Sequence, residues 1–342
     1  MDLSKLQEDI INAPYNKVIV LSSAASGKTR LLTEKVRQLL RAGADPKEIA
    51  VITFTNMAAG ELRQRLGSDY KAGLFVGTIH ALANYFLLSA GISTGKVLDD
   101  ENFDELFKMV EAHPNCIKHI EYLLLDEAQD TDKLQFKFLL DMINPPSFFL
   151  CGDARQSIYG FRGARPDILM DLTKREDVKV FDLNENYRNG YNILKFAKQI
   201  IRPTGLSDNS VSMRKFNGAV METPFSLELI AEKVSENGRY GDWAVLTRTN
   251  AEANNIMSFL KKCGIPFDTF KQKDLTKENL SLRMANNTVK VLTVHSAKGL
   301  EWDNVIVTGM RFGPTEERNV CYVAATRARN LLIWFTGKRR QF

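Results

Sequence analysis

The chain has 342 residues, a net charge of +5, and 44% hydrophobic and 9% aromatic residues, enough for two domains of ordinary size with buried cores. It has no apolar run near the roughly 18–20 residues of a membrane span, and the opening MDLSKLQEDI lacks the basic and apolar stretches of a secretory leader. Cys116, Cys151, Cys263 and Cys321 stand singly, which argues against zinc, iron–sulfur and disulfide frameworks and fits the reducing cytoplasm.

Charge is unevenly placed. Residues 1–176 carry 21 basic and 24 acidic side chains, and the remainder carries 25 and 17. A basic second half permits nucleic-acid contact, and an ordinary solvated surface explains it equally well.

In chain order, candidate strands are Val18–Leu21, Ala50–Thr55, Phe75–Thr78, Tyr122–Asp126, Phe148–Gly152 and Val178–Leu183, then Trp243–Arg248, Val289–Val294, Val305–Thr308 and Leu331–Phe335. Helical periodicity is found at Lys28–Arg41, Met57–Leu66, Thr131–Ile143, Tyr191–Ile201 and Ala251–Cys263. Most strands are continuous apolar runs, as expected of parallel sheets covered on both faces by helices. The fold class is therefore α/β, with two successive doubly wound units over 1–176 and 177–342. Residues 88–119 are polar and helix-leaning and residues 271–287 charged and irregular, and both interrupt the rhythm, as insertions or linkers do.

The stretch VIVLSSAASGKTRLL (Val18–Leu32) has the context of a phosphate-binding loop: a strand, a turn of small residues, then Lys28-Thr29 opening a helix. Backbone N–H groups at the helix start bind anionic oxygens, Lys28 reaches the β- and γ-phosphates, and the Thr29 hydroxyl holds Mg²⁺. Ser22 stands where the loop pattern has its first glycine. Ala25 adds a methyl, harmless at negative φ but costing about 1–2 kcal/mol in the left-handed region. About a hundred residues later, LLLDEAQD (Leu123–Asp130) puts two carboxylates directly after an apolar strand. Asp126 is suited to hold Mg²⁺, and Glu127 to orient or deprotonate an attacking water.

These and further motifs, in order, resemble the superfamily 1 helicases of the UvrD/Rep type. Leu6-Gln7 is similar to the adenine-reading glutamine motif, and Ser23–Thr29 to the phosphate loop, whose leading position in that family is often alanine. ITFTNMAAGELRQRL (Ile52–Leu66), GTIHAL (Gly77–Leu82), DEAQD, GDARQSIYGFRGA (Gly152–Ala164), NENYRN (Asn184–Asn189), VLTRTNAEA (Val245–Ala253), TVHSAKGLEW (Thr293–Trp302) and EERNVCYVAATRAR (Glu316–Arg329) complete the series.

The resemblance implies two tandem RecA-like domains of the P-loop NTPase kind, with ATP and Mg²⁺ bound at their interface. Gln7, Ser23, Ala24, Ala25, Ser26, Gly27, Lys28, Thr29 and Arg30 would bind nucleotide, with Tyr187 stacking on the adenine and Glu301 bonding the ribose. Lys28, Asp126, Glu127, Gln156, Arg188 and Arg327 would be catalytic. In these roles Gln156 senses the γ-phosphate and the two arginines act as fingers, each worth roughly 10³–10⁵ in rate. Single-stranded DNA would stack on Phe54, Tyr159 and Phe161. Its phosphates and sugars would meet Thr53, Asn56, Thr78, His80, Arg162, Arg248, Thr293, His295 and Lys298.

The chain departs from larger members of that family at both accessory positions, which hold only the ~30 residues before Glu121 and a short stretch between Phe270 and Thr288. The expected function is an ATP-dependent single-stranded DNA translocase or helicase, 3′-to-5′ by resemblance. Translocation is the better supported activity, and a protein partner would supply the missing duplex-engaging surface. The alternative is a nucleotide-gated DNA-binding sensor or adaptor that regulates a partner such as a nuclease.

Overall fold

The computed structural model describes residues 3–100, 102–271 and 277–336. The chain forms two compact units, one of 1–22 and 27–183, the other of 23–26 and 184–342. All ten expected strands form, their ends displaced by at most three residues.

The first unit is built on six strands: β1 (Lys17–Ser22), β2 (Ile49–Ile52), β3 (Phe75–Gly77), β4 (Tyr122–Leu125), β5 (Ser147–Gly152) and β6 (Lys179–Leu183). They lie in the order β3-β2-β4-β5-β1-β6, every pairing parallel. Two apolar layers cover the sheet. Leu31, Leu32, Val36 and Leu39 bring helix Lys28–Arg41 onto one face, where they meet Val18, Val20 and Val51. On the other face Phe86, Phe107, Phe138 and Leu139 pack over Ile19, Leu123 and Leu150. Fully burying one such side chain stabilises by about 1.5–3 kcal/mol, which is why two-sided apolar strands and one-sided apolar helices settle into this arrangement. Because all strands run the same way, their C-terminal ends gather on one edge, the edge where α/β sheets bind ligands.

Two expectations change in detail. The polar stretch 88–119 contains helices Gly95–Asp99 and Glu105–Ala112, and the second buries Leu106, Phe107 and Val110 completely. It is part of the core: its apolar residues share one helical face, and its polar composition comes from the opposite face and the flanking turns. The single helix expected at Thr131–Ile143 is an α-turn, Lys133–Phe136, that widens into a π-helix over Lys137–Met142.

The second unit contains a short parallel pair, β7 (Glu185–Asn186) and β8 (Val211–Ser212), and six further strands. These are β9 (Ala219–Pro224), β10 (Trp243–Thr247), β11 (Phe267–Asp268), β12 (Val289–Thr293), β13 (Trp302–Thr308) and β14 (Ala328–Thr336). The order is β11-β12-β10-β13-β14-β9, again parallel throughout. Of the linker expected at 271–287, residues 272–276 lie outside the described residues, and helix Lys277–Ala285 occupies most of the rest. None of the described helices is long and apolar enough to cross a membrane.

Candidate nucleotide and nucleic-acid sites

Strand β1 ends at Ser22, and Gly27 precedes helix Lys28–Arg41 with φ +84°. A Cβ on Gly27 would lie 3.0 Å from Gln7 Nε2, so both backbone conformation and close approach favour glycine here. Gln7 is buried and held by a capping box, its amide oxygen accepting from Ser4 N while its own N donates to Ser4 Oγ. The sequence-predicted nucleotide residues Gln7, Gly27, Lys28, Thr29 and Arg30 are thus on two neighbouring elements of the first unit. Residues 23–26 pack with the second unit, where Ala24 O accepts from Asn186 Nδ2 at 2.9 Å and Ala25 O from Tyr187 N at 3.1 Å. Ala25 has φ +56°, so the loop does carry the left-handed strain its methyl implies.

Two other strand ends, those of β4 and β5, converge on Lys28. Lys28 Nζ lies 3.4 Å from Glu127 Oε1, and Thr29 Oγ1 donates to Asp126 Oδ2 at 3.5 Å. Burial lowers the Lys28 pKa, but Glu127, Asp153 and Asp126 outweigh it and hold the ammonium charged. Burial pushes the Asp126 carboxyl up, and neighbouring Glu127 adds to the effect, against Lys28 and the donors at Glu127 N and Thr29. Glu127 is a second strained residue, at φ +53° and ψ +41°. A left-handed glutamate costs on the order of 1–3 kcal/mol and is typical of residues aimed for function.

Hydrogen bonds extend from these carboxylates to β5. Gln129 Nε2 donates to Glu127 Oε2, while Gln129 Oε1 accepts from Asp153 N at 2.8 Å. Asp153 Oδ2 accepts from Gln156 Nε2 at 2.6 Å, and Asp153 Oδ1 from Arg155 Nε at 2.6 Å. Gln129, Asp153 and Arg155 lie within the sequence motifs, which do not mark them as site residues. Their contacts span up to 133 positions and leave no local pattern to read. Burial also pushes the Cys151 thiol up, beside Asp126 and Lys28, which keeps it protonated and inert.

The same edge carries an aromatic cluster. Phe54, just after β2, stacks on Tyr159 with centroids 5.1 Å apart and planes 20° apart, and Phe161 meets Tyr159 edge-on at 6.0 Å. The Arg162 guanidinium lies over both Tyr159 and Phe161, at 5.2 and 5.6 Å. Phe161 is 68% exposed. Burial and Asp130 push the Tyr159 phenol to about 12, against Arg162, so it stays neutral. Four expected DNA-binding residues, 108 positions apart at the extremes, therefore form one platform.

Three of the other four expected first-unit contacts have structural partners. Thr53 is buried and donates to Thr55 O, and Asn56 is exposed at the first turn of helix Asn56–Leu66. Thr78 caps helix Ile79–Ser89 by accepting from Ala81 N. The His80 ring packs against Phe103 and Phe107, and its burial lowers its pKa in spite of Asp104 and Asp132.

In the second unit the expected residues occupy opposite edges of the sheet. Glu301 and Arg327 directly precede β13 and β14, which pair there through Trp302 and Ala328. Arg188 Nε donates to Glu301 Oε2, with Arg329 on the other carboxylate oxygen. Burial would raise the Glu301 pKa, but Arg188 and Arg329 pull it down to about 2. The buried Arg327 donates to Val323 O at 2.9 Å and Leu300 O at 3.1 Å. Tyr187 is 42% exposed, with its hydroxyl donating to Glu185 Oε2. At the other edge, where Thr247 and Thr293 pair, Arg248 forms a two-point ion pair with Glu317. Thr293 caps helix Val294–Ala297, which includes His295 and is followed by Lys298.

Family models cover almost the whole chain. The UvrD/REP helicase N-terminal domain matches residues 3–110 and 102–177, and the UvrD-like helicase C-terminal domain matches 181–278 and 269–338. Among curated relatives, a protein of Haemophilus influenzae named DNA helicase II is 24% identical over 84% of this chain and 55% of its own length. The Escherichia coli protein named ATP-dependent DNA helicase Rep is 26% identical over 78% of the chain and 55% of its own length. A Mycoplasma pneumoniae protein named probable DNA helicase is 25% identical over 97% of the chain and 82% of its own length. The chain thus spans about half the length of most relatives it matches.

Proposed function

This chain belongs to the UvrD/REP helicase family, and from that premise we propose that it is an ATP-dependent motor on single-stranded DNA, a translocase or helicase moving 3′ to 5′. The observation that carries the reading is the convergence of Lys28, Thr29, Asp126, Glu127 and Gln156 at the C-terminal edge of one parallel sheet, beside an aromatic cluster whose Phe161 is exposed. Lys28 and the N–H groups that open its helix bind the triphosphate oxygens. Thr29 Oγ1 and Asp126 Oδ2, 3.5 Å apart, suit a small divalent cation, since a buried carboxylate gains most from one. Held by these two side chains, Mg²⁺ would neutralise charge on the β- and γ-phosphates.

Glu127 accepts a proton from, or orients, the attacking water, and Gln129 fixes its carboxylate. Gln156 reports loss of the γ-phosphate through the turn that leads to Tyr159. Arg188 and Arg327 are assigned to the triphosphate and Glu301 to the ribose, on the strength of their motifs. The platform of Phe54, Tyr159 and Phe161 stacks bases without reading them. Single-stranded DNA is the proposed partner, with a protein supplying the surface that the short accessory stretches leave out.

Steady-state ATP hydrolysis titrated with single-stranded DNA, with Lys28→Ala as blank, tests the proposal. Strong stimulation, absent in the blank, is the expected result. Turnover indifferent to DNA would refute a motor.

A further inference from the structure

Arg155 is a buried cation beside the proposed ATP site, and the steps above give it no role. Its side chain is 9% exposed and forms an ion pair with Asp153, which is 1% exposed. Arg155 N and Nε both donate to Asp153 Oδ1, at 3.1 and 2.6 Å, and the terminal Nη2 donates to Ser22 O at 3.3 Å. Ser22 Oγ in turn donates to Gly152 O at 3.2 Å. The ends of β1 and β5 are thereby tied together at the entrance of the phosphate loop. The second Asp153 oxygen is left to accept from Gln156 Nε2.

Burying such a pair does not by itself stabilise a protein more than apolar side chains of similar volume would, so the pair calls for another reason. Lys28 already feels Asp126, Glu127 and Asp153. Without Arg155, Asp153 would be a third buried carboxylate around one lysine, drawn towards Lys28 and free to turn. With Arg155, both Asp153 oxygens are fixed and the Gln156 amide has one orientation.

We propose that Arg155 is the positioning residue of Gln156, anchoring Asp153 to the end of β1 so that the glutamine is aimed at the γ-phosphate. This rests on the proposed function. Its test is a double-mutant cycle in DNA-stimulated ATP hydrolysis: wild type, Arg155→Met, Gln156→Ala and the double variant, with Arg155→Lys alongside. Arg155→Met should lower kcat on the order of 10–100-fold, the scale of a misplaced reacting group. KM for ATP and affinity for a non-hydrolysable ATP analogue should stay within about threefold of wild type. Arg155→Lys should recover part of kcat. In the Gln156→Ala background Arg155→Met should change nothing further.

Equal loss of kcat in both backgrounds would overturn the proposal, as would a rise in KM with kcat intact. Should Arg155→Met not fold, Arg155→Lys with Gln156→Ala gives the same cycle. Wild-type protein without ATP turnover that Lys28→Ala removes would instead refute the functional reading itself.

Discussion

Ala25 and Gly27 invite opposite substitutions in one turn. Both have positive φ, +56° and +84°, but only one is glycine. Alanine in the left-handed region costs about 1–2 kcal/mol. Replacing it with glycine removes that strain, while the freer unfolded chain takes back about 0.4–1 kcal/mol. Ala25→Gly should therefore stabilise by a net of roughly 0.5–1 kcal/mol. For a unit of this size, that raises the thermal midpoint by about 1–4 °C.

Gly27→Ala adds the same backbone strain and places a methyl 3.0 Å from Gln7 Nε2. It should cost at least about 1–2 kcal/mol and displace Gln7. Thermal unfolding followed by far-ultraviolet circular dichroism measures both. A lowered midpoint in Ala25→Gly, or an unchanged one in Gly27→Ala, would show that the turn does not have this conformation.

Glu127→Gln should bind an ATP analogue normally yet lose on the order of 10²–10⁴ in hydrolysis, measured in single turnovers; near-wild-type turnover would remove Glu127 from its role. Phe54→Ala and Tyr159→Ala should each weaken single-strand binding by about 1–3 kcal/mol by fluorescence anisotropy, and because the rings stack on each other the double variant should lose less than the sum. Glu301 supplies a pH test: its folded pKa of about 2 lies below the ordinary value of 4.5, so its stabilisation is complete above that value and is lost as pH falls towards 2. Trp243, Trp302 and Trp334 all lie in the second unit, and their fluorescence should report acid unfolding whose onset has a smaller pH slope in Glu301→Gln.

The strands were legible because a two-sided apolar run admits few other readings, and the phosphate loop and Asp-Glu pair because their chemistry attaches to strand ends. Edge strand β9 has no such signature: four of its six residues are exposed, so no apolar run marks it. Leu106, Phe107 and Val110 were hidden by the acidic residues around them, though their spacing puts them on one helical face. The stacking of Phe54 on Tyr159 joins residues 105 positions apart, and only the family's motifs pointed to both. The left-handed conformation at Glu127 has no signal in the local sequence, and at Ala25 the sequence leaves both signs of φ open.

A common pattern links three of the cations that the motifs assign to phosphates. Lys28 faces Glu127, Arg188 faces Glu301, and Arg248 faces Glu317, each pair within one motif-bearing unit. A phosphate oxygen must therefore compete with a carboxylate already in place. Each exchange swaps one charge-assisted contact for another, so the net gain per contact is smaller than the gross attraction. Removing the carboxylate should thus tighten phosphate binding where its only role is to hold the cation. Glu317→Gln frees Arg248 in this way and should strengthen single-strand binding and steepen its salt dependence, as one more cation meets the backbone. Anisotropy titrations at several salt concentrations measure both. Weaker binding with an unchanged slope would mean that Glu317 orients Arg248 for the strand and does not compete with it.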